Sequence, residues 1–190
     1  MSVSQSQPQP VIDAAEGKAL LSGLCQPFIR GYFAPECSVV QPENIPHPAD
    51  ELLVHHQHMT VVLQRHHAGR VRVHVLEEHL EGDRYTRKIS LTPLGSGKVV
   101  EYGIVRLDFR FMPELVKREI LAKQMPLGAI LIKNKVHRRI KPRYFLRFPD
   151  GSAVLKLFGR DSGQPLYGRL GTIYCDEEPC IELLEIVVNP

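Results

Sequence analysis

From residue 70 to residue 188 the chain returns again and again to a period of two, broken at short turns containing glycine or aspartate. Few architectures accommodate that pattern, because alternation over five to ten residues is the signature of a strand with one face buried. Residues 70–78 place Val71, Val73 and Val75 on one side and Arg70, Arg72 and His74 on the other. Gly82-Asp83 turns the chain, and residues 84–92 alternate again. Tyr85, Arg87, Ile89 and Leu91 share one face there, and Thr86, Lys88 and Ser90 the other. After Gly95-Ser96-Gly97, residues 98–111 are predicted to form one long strand with Val99, Val105, Leu107, Phe109 and Phe111 on a single face. Residues 136–148 read as a basic, exposed edge strand whose charges guard against strand-to-strand aggregation, and Asp150-Gly151 is a hairpin-type turn. The last hairpin is predicted to run over residues 167–175, turn at Asp176 to Pro179 and return over 180–188. Both faces of that return strand are mainly apolar, as for a central strand covered on two sides.

Helices fit between these strands. Residues 59–67 can form a short helix ended by Ala68-Gly69, since glycine readily caps a helix end. Pro113 suits the first helical position of a second helix reaching about residue 123. Met125-Pro126-Leu127-Gly128 then breaks the chain before another short element. Earlier, Pro27, Pro35, Pro42, Pro46 and Pro48 forbid long regular structure, although one short helix fits around residues 13–24. Strands that pair through hairpins, with helices inserted between them, predict α+β rather than parallel winding. The expectation is a single α+β domain, a mainly antiparallel sheet flanked by helices, over residues 58–190. A disordered tail over 1–12 and an irregular, proline-rich lead-in over 13–57 would precede it.

Charge and composition exclude several functions. A formal net charge of +3 over 190 residues argues against nucleic acid or a membrane surface as a partner. No apolar run approaches the roughly 18 residues of a membrane span. The Ser/Gln/Pro-rich start lacks a signal-peptide pattern, so a cytoplasmic protein is expected. Cys25, Cys37, Cys175 and Cys180 form no CxxC pair; Cys175 and Cys180 could face one another across the last hairpin turn and are expected as buried thiols. His55, His56, His58, His66 and His67 lack the i, i+4 spacing of a zinc helix, so no metal is expected. No phosphate-binding loop or nucleophile elbow is present, and no cofactor is expected. Oligomeric state cannot be read.

Two charges break the apolar pattern. Arg87 lies among Tyr85, Ile89 and Leu91, and Glu185 shares its strand face with Ile181, Leu183 and Val187. Burying either alone would cost several kcal/mol, so each needs a counter-charge. That partner could be internal, the two pairing with each other or with neighbours such as Lys88, Asp83 or Arg169, so that they only staple the sheet. Alternatively Arg87 presents its planar fork to a ligand carboxylate and Glu185 meets the ligand's other end.

Four segments, taken in order, resemble the chorismate pyruvate-lyase family. Met59-Thr60 opens the short helix before the first strand, and Arg87-Lys88-Ile89-Ser90-Leu91 is similar to the family's Arg-Glu-Ile-Leu-Leu strand. Met125-Pro126-Leu127-Gly128 is similar to its Thr-Pro-Leu-Gly turn, and Leu184-Glu185-Ile186-Val187-Val188 to its closing Thr-Glu-Leu-Phe-Leu strand. The resemblance covers about two thirds of the chain and implies that Met59, Arg87, Leu127 and Glu185 line a buried site. It implies cofactor-free removal of pyruvate from chorismate to give 4-hydroxybenzoate. Arg87 would hold the ring carboxylate and Glu185 would meet the ring hydroxyl or act as a base, with Arg87 and Glu185 as the catalytic pair. Lys88 departs from the family's acidic residue, and Glu182 competes with Glu185 for the final assignment. The same fold serves as the sensing domain of some bacterial repressors. A non-catalytic carboxylate-binding protein, or a lyase for a related cyclic acid, is therefore the alternative, although the proline-rich lead-in does not suit a helix-turn-helix.

Overall fold

The structure, a computed structural model, describes residues 13–28, 35–160 and 163–188; the tail expected over 1–12 lies outside the described residues. Asp13 starts the first helix, its carboxylate accepting from the amides of Ala15 and Glu16 at 2.9 and 3.2 Å. Such a cap satisfies donors that the first helical turn leaves free. Helix α1 (Ala14–Cys25) is followed by β1 (Ser38–Val40), α2 (Ala49–Leu53), α3 (Met59–His66), β2 (Val71–Glu81) and β3 (Arg84–Pro93). Then come β4 (Glu101–Asp108), α4 (Glu114–Leu121), α5 (Leu127–Lys133), β5 (Arg138–Phe148), β6 (Leu166–Cys175) and β7 (Glu178–Val187). The strands form one seven-stranded antiparallel sheet in the order β1-β5-β6-β7-β4-β3-β2, which is the α+β architecture expected.

Both faces of the sheet are covered. On one, Leu21, Leu24 and Cys25 of α1 pack with Phe28 against Tyr102, Ile104, Leu146, Leu170, Leu184 and Ile186. On the other lie two apolar clusters. Helices α2 and α3 pack over Val71, Val73, Ile89, Leu91 and Val187, while α4 and α5 pack over Tyr85, Val105, Leu107, Ile173 and Leu183. Each buried aliphatic side chain stabilises the fold by about 1.5–3 kcal/mol. Strand β7 has neighbours on both sides and is buried along nearly its whole length, as its two apolar faces require.

Four local expectations need correction. The long strand over 98–111 is shorter: β4 ends at Asp108, whose carboxylate accepts from the amide of Arg110 at 3.1 Å and turns residues 109–111 into a 3-10 turn. The turn of the last hairpin is only Asp176-Glu177, both with positive φ (48° and 66°), so the return strand starts at Glu178 and not at Cys180. After α3, Ala68 and not Gly69 takes the left-handed conformation, at φ 49°. The basic segment is not a bare edge either. Strand β5 pairs with β6 along its length, and β1 covers residues 145–147 on the other side.

Candidate functional site

The two apolar clusters on the helical face do not meet; a polar seam divides them. Cross-strand register builds it. Arg169 of β6 stands opposite Glu185 of β7, Glu185 opposite Gly103 of β4, and Gly103 opposite Ile89 of β3. Arg87 lies two residues along β3 from Ile89, and Glu101 two residues along β4 from Gly103, so both point to this same face. A Cβ at Gly103 would meet the Leu184 carbonyl oxygen at 3.1 Å and Ile89 Cγ1 at 3.3 Å. Glycine there lets Ile89 and the β7 backbone pack closely on β4. Among the charged groups lies a cavity of about 40 Å³ lined by Met59, Thr60, Arg87, Glu101, Leu127 and Glu185, among others.

Of the four residues that the resemblance singles out, all line this one cavity. Helix α3 brings Met59 and the start of α5 brings Leu127. Gly128 lets α5 approach closely, because a Cβ there would sit 2.9 Å from the Cβ of His58. Glu182 does not belong: it lies on the opposite face of β7, ion-paired with Arg106.

Glu185 has a partner within the protein. Arg169, 1% exposed, donates from Nε to Glu185 Oε2 at 2.6 Å. Its Nη1 reaches the carbonyls of Leu53 and His55 at 3.0 and 2.9 Å, and its Nη2 reaches that of Gln57 at 3.2 Å. Arg169 thus ties the segment between α2 and α3 to the sheet. His55 completes the clamp. Its Nε2 donates to the Leu52 carbonyl at 2.8 Å, so Nδ1 is the acceptor for Arg169 Nη1 and the Gln57 amide. Burial, helped by Arg169, pulls the His55 pKa down to about 4 and keeps the ring neutral.

Arg87 is different. It is 1% exposed, yet no carboxylate among the described residues lies within ion-pair distance of it. Nη1 donates to the Ile120 carbonyl at 3.3 Å, and Nε is buried with no hydrogen-bond partner. Burial lowers its pKa, opposed by nearby Tyr85 and Glu78, but a guanidinium keeps its proton in a protein. Glu78 itself is shared with Lys123 and with the Tyr85 hydroxyl, which donates at 2.6 Å. The staple reading therefore holds for Glu185 and fails for Arg87.

Sequence reasoning missed Glu101 and named Arg169 only as one of several partners. Glu101 is 2% exposed and its Oε2 has no hydrogen-bond partner. Desolvation, reinforced by the Glu185 carboxylate, pushes its pKa well above the carboxylate range, against the pull of Arg169. That direction favours the protonated carboxyl. A signal existed, since Glu101 occupies the same apolar strand phase as Val99, Val105 and Leu107. His58 was also passed over as a site residue. Its Nε2 accepts from Arg138 Nε at 2.6 Å, and burial, with Arg138 and Arg169 nearby, lowers its pKa to about 4. Among the described residues no group of three histidine, cysteine or acidic side chains gathers, and no helix is long and apolar enough to cross a membrane.

No family model and no curated protein matches the chain. Solved structures do. PhnF from Mycobacterium smegmatis superposes with a TM-score of 0.50 and 14% identity, over 67% of this chain and 62% of PhnF. The chain thus spans less than two thirds of the length of that protein. The effector domain of PhnF gives the same score and identity over 67% of this chain and 86% of the domain. A ligand-binding domain assigned to the GntR family of transcriptional regulators, from Bordetella bronchiseptica, gives 0.46 and 14%, over 63% and 86%. The fold is the chorismate-lyase-like one. The expectation of an enzyme, a chorismate pyruvate-lyase, is overturned: the fold it rested on is shared here with an effector domain. The geometry agrees. Glu185, assigned as base or hydroxyl contact, is held by Arg169.

Proposed function

We propose that this domain binds a small carboxylate without turning it over, in a ligand-sensing role. One observation carries the proposal: Arg87 is a buried cation with an unpartnered Nε, facing a cavity, with no carboxylate within ion-pair distance among the described residues. Counting charges on the seam gives Arg87 and Arg169 positive and Glu185 negative, with the Glu101 pKa raised towards the neutral form; Glu78, the acid nearest Arg87, is bonded to Lys123 and Tyr85. The surplus is one positive charge in a low-dielectric pocket, and an anion is the chemistry that balances it. A planar guanidinium favours a carboxylate, which it can grip with two parallel hydrogen bonds. A protonated Glu101 carboxyl adds a group that can donate to a ligand oxygen or accept from its hydroxyl.

Thermal melts of wild type and Arg87→Lys, with and without 4-hydroxybenzoate as probe, test this reading. Lysine keeps the charge and loses the fork. Affinity is expected to fall by about 30- to 150-fold, the equivalent of 2–3 kcal/mol of charge-assisted bonding, with little change in the melting temperature of the free protein. A wild type that shows no shift in millimolar ligand removes the proposal. So does a variant that melts lower but binds the probe unchanged, because Arg87 would then be structural.

A further inference from the structure

Beside the small cavity lies a much larger space. An open cleft of about 730 Å³ is bounded by Gln57, His58, Ile132, Arg138, Arg139 and Glu177, among others. That size falls within the roughly 300–1,000 Å³ typical of small-molecule sites, whereas the inner cavity is far below it. His58 lines both spaces. It is the partition between a room with charge and a room with volume.

The two arginines of the cleft are not equivalent. Arg139 is occupied: it pairs with Glu177 at 3.3 Å and stacks over the Tyr174 ring at 4.4 Å. Arg138 has no carboxylate within ion-pair distance among the described residues. Its Nε donates to the neutral His58 imidazole and its Nη1 to the Val136 carbonyl at 2.8 Å, while Nη2 makes no hydrogen bond among the described residues. The cleft therefore offers a half-buried guanidinium whose only side-chain partner is an uncharged ring. Exchanging that ring for a carboxylate would replace a charge–neutral bond by a charge–charge one, the stronger of the two.

We infer that the ligand carries two acidic groups, one gripped by Arg87 inside and the second by Arg138 in the outer cleft, with the His58 ring displaced from between them. This rests on the carboxylate-binding role of Arg87 and deepens it. The two cations lie on either side of His58, and among the described residues neither has a carboxylate within ion-pair distance. The inner cavity holds about 40 Å³ against about 730 Å³ in the cleft, so a ligand gripped by Arg87 extends past His58 into the cleft.

Isothermal titration with benzoate, terephthalate and isophthalate, at neutral pH and matched ionic strength, tests the inference on the whole chain. Benzoate has one carboxylate, whereas the other two have a second at different positions on the same rigid ring. Wild type is expected to bind at least one dicarboxylate about ten-fold more tightly than benzoate. Arg138→Gln should abolish that preference, so that the dicarboxylates bind no more tightly than benzoate does to the same variant. Arg138→Lys, which keeps the charge and so guards against a merely misfolded variant, should retain part of the preference. Equal binding of all three probes by wild type overturns the inference and spares the Arg87 reading. Equal weakening of all three in both Arg138 variants also overturns it, because Arg138 would then act only through His58 and the fold. If no probe binds wild type, both readings fall together.

Discussion

The two faces of the sheet are built on different principles. Under α1 the buried centre is apolar, with Leu146, Leu170, Leu184 and Ile186 all buried, and charges of that face such as Arg106 and Glu182 sit half-buried at its margin and pair with each other. Under α2 to α5 the face is cut by Arg87, Glu101, Arg169 and Glu185, each at most 8% exposed. Dispersion and desolvation hold the first face, which needs no partner identities and borders a mostly apolar cavity of about 170 Å³ lined by Cys25, Phe28, Tyr102 and Ile186, among others. The second face must match every buried charge to a counter-charge or carry the cost, and it leaves Arg87 and Glu101 incompletely matched.

Breaking the matched pair should have the largest effect. Arg169→Met strands the Glu185 carboxylate and frees the carbonyls of Leu53, His55 and Gln57, and is expected to cost about 3–5 kcal/mol. The midpoint of urea unfolding at constant slope measures it. A loss below about 1 kcal/mol would mean that the seam is held by packing, as the other face is. Leu170→Ala, on the apolar face, should cost about 2–5 kcal/mol by opening a void. It should leave the shift produced by 4-hydroxybenzoate intact; a lost shift would show that the two faces are coupled.

Acid should attack the seam before the apolar face. His58 has its pKa depressed in the fold, to about 4 from an ordinary 6.5, so the unfolded chain takes up a proton more readily. Its contribution is complete above about pH 6.5 and is lost as pH falls towards 4, amounting to on the order of 3 kcal/mol. His55, facing Arg169 and His56, acts in the same direction. A His58→Asn variant should flatten the pH dependence of the melting temperature over that window, and an unchanged slope would count against a buried neutral imidazole. Glu101 has the opposite sign. Its raised pKa means that the fold keeps a proton that the unfolded chain releases above about 4.5, so its contribution falls as pH rises from there. The smallest effect follows: Glu101→Gln should change stability by less than about 1 kcal/mol below that pH, where both side chains are neutral. The comparison should then move in favour of the variant as pH approaches neutrality. A variant that loses ground instead would mean that Glu101 is ionised in the fold.

The period of two along β2, β3 and β7 was legible because side-chain direction in a strand is a local property, set by the pleat. The same rule placed Arg87 and Glu185 on apolar phases, and it would have placed Glu101 there too. Element ends were less legible. The capping carboxylate of Asp108 and the left-handed Ala68 each depend on one side chain or one dihedral that the alternation does not record. What no pattern along the chain could supply is the partner of each buried charge. Arg169 meets Glu185 across a strand ladder and reaches carbonyls more than 100 residues away, which leaves Arg87 with no carboxylate at ion-pair distance among the described residues. Which face a residue occupies depends on its immediate neighbours in the chain. Which charge goes unanswered depends on distances between strands and helices remote in sequence, and those exist only once the sheet has closed and the helices have packed on it.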